Sequence, residues 1–264
     1  MRLQIDATLD YNMAEPVETM LMIEAVPMHD QILIDDMLTI DGVGPLVPTT
    51  GEDGLGRRTM MIAEGHFVAN YRGVFDVDRV APDLHALARV SRLNLPAEAL
   101  PYLWPSRYCE ADRLETFVDR EFGELDGGPR VAAMADWIHD HLDYVPGSSD
   151  EETSAARTFV QRQGVCRDFA HLLASFVRAS GIPARLVSAY AWQLDPPDFH
   201  AVVEVWLADA DGVGGWHLVD ATKLAPIEGL VRIAVGRDAT DIAFMTVFGG
   251  SMMNAQNVSV TRLD

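Results

Sequence analysis

A chain of 264 residues, 48% of them hydrophobic, is long enough to bury a sizeable core as one large domain or two smaller ones. Forty acidic side chains against twenty basic ones leave a formal charge of -20, a field that repels phosphate backbones and anionic headgroups, so no nucleic acid and no membrane surface is expected as a partner. Only two cysteines, Cys109 and Cys166, are present, which rules out a disulfide framework; two thiols that stay reduced fit a cytoplasmic setting.

The first residues, MRLQIDATLDYNM, alternate polar and apolar and contain no continuous apolar signal core, so secretion by that route is not expected. LQIDATLDY, ETMLMIEAVP, QILIDDMLTIDG and TMMIAEGHFVANYRGVFDVDRV are β-favouring runs separated by Glu15-Pro16, Pro27-Met28 and the glycine-rich TTGEDGLGR. They predict an antiparallel, β-sandwich-like module over residues 1–95. From about Pro96 the pattern changes to helical spacing in YLWPSRYCEADRLETFVDREFG, PRVAAMADWIHDHLDYV and TSAARTFVQRQG, and strands return from Ala184. The fold class is therefore α+β, with a second domain over residues 96–264. Between Ile242 and Thr261 no residue is charged, but its glycines, serines and amides make the stretch too polar to span a bilayer.

Within the second domain, Phe169, Leu172, Leu173, Phe176 and Val177 fall on one helical stripe, and Gly181 and Pro183 supply a stop. The spacing predicts a helix from about Cys166 to Ser180. Cys166 then lies in its first turn, where free backbone N–H groups and the positive end of the helix dipole favour a thiolate. Position alone leaves two readings open, a small apolar filler or a nucleophile.

A cysteine nucleophile needs a base, and the base needs a group to orient it. DFHAVVEVWLADADGVGGWHLVDAT reads as a hairpin turning at Asp211-Gly212, with His200 opening its first strand on the face of Glu204 and Trp206. If residues whose numbers sum to an even value pair across it, Asp220 shares the face of His200 and can lie opposite. Each has a plain alternative, a satisfied strand-end histidine and a turn-capping aspartate. His139 and His141 are two apart on a predicted helix and point to different faces, and His171 projects away from Cys166, so none of them makes a metal pair. No CxxC or HxxxH spacing supports a metal site, and none is expected.

Taken together, GVCRDFAHLLASFVRASGIPARLVSAY, FHAVVEVWL and WHLVDAT resemble the cysteine, histidine and aspartate segments of the bacterial transglutaminase-like proteins, a branch of the papain-like cysteine peptidase and transglutaminase superfamily. YLWPSRYC and VGRDATDIAF resemble the segments that flank that core. The resemblance is strong from Tyr102 to Phe244 and weaker over the N-terminal strands. It implies a papain-like core in which a cysteine-bearing helix packs on an antiparallel sheet, with Cys166 as nucleophile, His200 as general base and acid, and Asp220 as orienter. The chain departs from the family's usual residues at Val202, where tryptophan is common, and at Ala221, where proline is. Trp104, Trp137 and Tyr144 are side-chain candidates for a second oxyanion donor.

The expected chemistry is acyl transfer through a thioester, with no cofactor: a cysteine protease or amidase acting on peptide or isopeptide bonds of a peptide or protein substrate. A glutamine-directed transglutaminase and a non-catalytic binding protein on the same scaffold are the alternatives. The chain contains no DxDxDG loop, so calcium activation is not expected.

Overall fold

The computed structural model describes residues 1–41 and 43–264. Four strands come first: β1 (Arg2–Glu24), β2 (Gln31–Val43), β3 (Val47–Thr50) and β4 (Arg57–Val77). Along β1 the odd-numbered residues from Leu3 to Met13 are buried, and they pair with the buried face of β4; at its centre large meets small, with Leu9 across from Ala69 and Ala7 from Tyr71. The two segments expected on either side of Glu15-Pro16 are one long strand. Its register against β4 shifts between Met13 and Val17, and such a bulge is where a strand tolerates a proline.

After the two-residue strand β5 (Ala88–Arg89), prolines 101 and 105 interrupt the helical spacing, and the chain makes only short 3₁₀ turns at Leu100–Leu103 and Ala111–Arg113, so the first helical segment begins later than its periodicity suggests. Helices α1 (Glu115–Phe122) and α2 (Gly127–His141) follow. Then come β6 (Asp143–Tyr144), α3 (Ala155–Gln161), β7 (Gln163–Gly164) and α4 (Cys166–Ala179). The expected stripe on α4 is its buried face: Phe169, Leu172, Leu173, Phe176 and Val177 are all in the core. The helix ends as its sequence requires, with Gly181 at φ 77° and its N–H donating to the Arg178 carbonyl.

The second sheet is antiparallel and is built from β8 (Ala184–Ala191), β9 (Phe199–Ala208), β10 (Gly214–Val219) and β11 (Leu230–Gly236), in the order β10-β9-β8-β11. Helix α4 packs against β8 and β9. A single turn, α5 (Ala239–Ile242), leads to β12 (Met245–Val247) and β13 (Ser251–Arg262). These last two strands do not stay with the second sheet. They return to pair with β1, Leu3 opposite Arg262 and Met13 opposite Ser251, while β5 pairs with β9. A division at residue 95 therefore cuts across both sheets, since each takes strands from both sides of it. One apolar core runs from Leu3 and Phe75 to Phe176 and Val203.

Buried charge links the sheets as well. The fully buried Glu204 accepts from Arg185 and Arg232, each at 2.7 Å, and Arg232 also donates to Asp30 at 2.9 Å, which takes a further bond from Arg79. Glu204 lies on β9 four residues beyond His200. The network thus fixes the histidine-bearing strand to the loop that precedes β2. No helix among the described residues is long and apolar enough to cross a membrane.

Candidate active site

The start of α4 is set by a close approach. Asp168 is fully buried and its carboxylate accepts from the Val165 N–H at 2.8 Å, tying the third helical residue back to the residue before the helix. A Cβ on Gly164 would lie 2.6 Å from the Asp168 Cβ, so only glycine fits there. The turn presents Cys166 half-buried with a free thiol at the first position of α4. Cys109 is fully enclosed, and burial pushes its thiol up to about 11, which suits an inert apolar filler.

Across from the helix, His200 is 2% exposed, and its Nε2 lies 2.8 Å from an Asp220 oxygen. The strands pair with Trp206 opposite Trp216 and Val203 opposite Val219, an even-sum register. In that register Asp220 aligns with Val202, just past the end of β10, and reaches His200 diagonally instead of from directly opposite. The other Asp220 oxygen accepts from the Thr222 backbone N–H at 2.8 Å and from its hydroxyl at 2.7 Å. Thr222 had no marked role in the sequence, yet it fixes the rotamer of Asp220. A residue two positions after a strand-end aspartate is the Asx-turn signal that could have shown this.

Electrostatics follow the same contacts. Burial by itself pushes the His200 imidazole down, but the hydrogen bond and charge of Asp220 and the adjacent Cys166 sulfur outweigh it and raise the group to about 10. Burial pushes Asp220 up, and the His200 bond and charge with the Thr222 bonds more than offset this and hold it below the usual carboxylate range. The His200 Nδ1 atom is buried and has no hydrogen-bond partner among the described residues. A cleft of about 280 Å³ is lined by Cys166 and His200 together, with Ser188, Phe199, Phe244 and Gln256 among its walls.

Of the three candidate oxyanion side chains, only Tyr144 is at the site. Its hydroxyl lies beside the Cys166 thiol and backbone N–H, and burial together with the neighbouring sulfur pushes the phenol up to about 12. Trp104 is 63% exposed and lines a separate cavity, and Trp137 belongs to an aromatic cluster with Phe117, Phe159 and Phe176. His171 is buried, stacks on Tyr108 and accepts from the Ala239 N–H at 3.1 Å; His141 stacks on Trp137. No cluster of three metal-ligating side chains occurs among the described residues.

A family model described as the transglutaminase-like superfamily matches residues 116–221, a stretch that contains Cys166, His200 and Asp220. Over its whole length the chain superposes on the crystal structure of a candidate cysteine protease from Cytophaga hutchinsonii, with a TM-score of 0.93, 34% sequence identity and 91% of that chain covered. The protein belongs to the transglutaminase-like superfamily. That membership and the Cytophaga neighbour place it among thiol enzymes at the level of family. Among curated proteins, this superfamily member is 37% identical over 125 residues to an uncharacterized protein of Mycobacterium leprae and 29% identical over 119 residues to one of Mycobacterium bovis. The matched stretches span 42% and 38% of those two proteins, less than half of their length.

Proposed function

We propose that the protein is a thiol hydrolase that cleaves peptide or isopeptide bonds through a Cys166-His200-Asp220 triad. The observation that carries this reading is the 2.8 Å bond from His200 Nε2 to Asp220, which leaves Nδ1 unpaired in the cleft that Cys166 also lines. In the proposed cycle, His200 holds the thiol proton as an imidazolium, and the Cys166 thiolate adds to the amide carbonyl. The imidazolium then protonates the departing amine as the C–N bond breaks and a thioester forms. Water, deprotonated by the now neutral His200, adds to the thioester, and the carboxylic acid leaves as the thiol is restored. In this reading the Cys166 backbone N–H at the helix start and the neighbouring Tyr144 hydroxyl share the charge of the oxyanion.

Asp220 keeps the imidazole in the tautomer that presents Nδ1 to the sulfur and stabilises its protonated form. The substrate is a peptide or protein, and the setting is cytoplasmic, where a free thiol stays reduced. The test is peptide turnover by the wild type beside Cys166→Ala, with and without an added primary amine. Release of the free carboxylic acid by the wild type alone supports hydrolysis. Amide formation with the added amine in preference to acid assigns the protein to amine transfer instead, and equal turnover by Cys166→Ala removes the thiol from the mechanism.

A further inference from the structure

The cleft beside Cys166 contains a polar group that the proposed cycle does not use. Ser188 lies on β8 opposite Ala201 of β9, one position further along the sheet than the Ala189–His200 pair. It is 7% exposed and lines the cleft, and its hydroxyl has no hydrogen-bond partner among the described residues. A buried hydroxyl without a partner is unfavourable, and such groups persist where a ligand or water completes them.

The surroundings narrow what that ligand can be. Ala201, Ile242 and Phe244 line the same cleft, and Phe199 and Phe244 stack face to face at 4.6 Å, forming a single aromatic wall. Asp198 and Arg167 also line it. Asp198 accepts from the Phe199 N–H and from the Gln256 amide, and Arg167 donates to the Ser149 hydroxyl and the Asp150 carbonyl. A wholly apolar side chain entering the cleft would leave the Ser188 hydroxyl unpaired.

We infer that this cleft is a side-chain subsite of the thiol hydrolase, selective for a side chain with an apolar stem and a hydrogen-bonding tip, and that Ser188 Oγ is the group that reads the tip. A tyrosine-like phenol fits best, its ring lying along the Phe199–Phe244 wall and its hydroxyl meeting Ser188. Ser188 is thus a specificity residue, removed from the atoms that react. The inference rests on the reading of Cys166 and His200 as the reacting pair, because that reading is what places a substrate in the cleft.

The test compares tyrosine with phenylalanine, which differ only in the hydroxyl. Two readouts are used: turnover of a peptide-amide library varied one position at a time, and equilibrium binding of the same peptides to Cys166→Ala protein, which needs no chemistry. One neutral hydrogen bond to a buried hydroxyl predicts a preference of about tenfold for tyrosine at one position, in kcat/KM and in Kd alike. Ser188→Ala should bring that ratio close to one in both readouts, and its thermal midpoint should equal or exceed that of the wild type because an unpaired buried group is gone. Selective binding without turnover by the wild type keeps the subsite and overturns the hydrolase reading. Turnover without any tyrosine preference, or a preference that survives Ser188→Ala, overturns the subsite and keeps the hydrolase. Neither turnover nor selective binding overturns both.

Discussion

Replacing Asp220 by asparagine removes a charge while keeping the shape of the side chain. The asparagine carbonyl can still accept the Thr222 bonds, which are 2.8 and 2.7 Å long in the native site, so its amide nitrogen turns toward His200. An amide N–H donor there makes Nε2 an acceptor and puts the imidazole proton on Nδ1, the atom that should be free to take the thiol proton. The charge matters as much as the tautomer. The rise of His200 from 6.5 to about 10 corresponds to roughly 5 kcal/mol of extra stability for the imidazolium, shared between Asp220 and the Cys166 sulfur. Without the carboxylate, burial dominates and the imidazole should titrate well below its native value. Peptide turnover should then fall by about 10³- to 10⁴-fold. Iodoacetamide should label Cys166 much more slowly than in the wild type, with buried Cys109 as the internal control in the same mass spectrum. The pH dependence of stability gives a second check. A histidine raised in the folded state contributes stability that is complete below its unfolded value of 6.5 and is lost as the pH rises to about 10. The gap in unfolding free energy between wild type and Asp220→Asn should therefore be widest near pH 6 and shrink toward pH 10. Unchanged labelling of Cys166 together with a gap that does not vary with pH would refute the pairing as the source of the reactive thiol.

Cys166→Ala should abolish turnover yet keep the thermal midpoint within a few degrees of wild type, because a half-buried first-turn position accepts alanine readily; calorimetry and a peptide assay check both. Gly164→Ala should destabilise the protein by about 1–3 kcal/mol in urea titrations, since the new methyl would lie 2.6 Å from the Asp168 Cβ at the turn that presents the thiol. Glu204→Gln should cost about 3–5 kcal/mol by leaving Arg185 and Arg232 without their shared buried carboxylate, and a loss under 1 kcal/mol would mean that the network is replaceable. Thr222→Val should lower kcat more than it raises KM, because it removes the hydroxyl bond that helps to hold Asp220, leaving the backbone bond, without touching the cleft that holds the substrate.

How much the sequence determined divides along the range of the interactions concerned. The stripe on α4, its stop at Gly181 and the alternation of β1 were legible because they depend on neighbours within a few residues, where helical and strand periodicity act. Cys166, His200 and Asp220 were picked out as candidates for a related reason: a helix start, a strand start and a strand end are each marked locally, and together they resemble the family pattern. The course of the C-terminal strands was not legible. Nothing in residues 251–262 distinguishes an edge strand of the second sheet from a partner for β1, and only the long-range pairing of Leu3 with Arg262 decides it. For the same reason a change of periodicity near Pro96 marked a change of local structure without marking a boundary in space. Tyr144 was one of three oxyanion candidates in the sequence and was singled out only in three dimensions, where Ser188 also first took on meaning. Tyr144 comes to the sulfur because the short parallel pair β6–β7 brings residues 143–144 beside residues 163–164, just before the cysteine. Ser188 is one unremarkable serine in a buried strand until the cross-strand register with Ala201 and the rings of Phe199 and Phe244 enclose its hydroxyl in the cleft. Periodicity specifies which face of an element is buried; what that face meets depends on contacts between residues far apart in the chain, and these only the tertiary fold supplies.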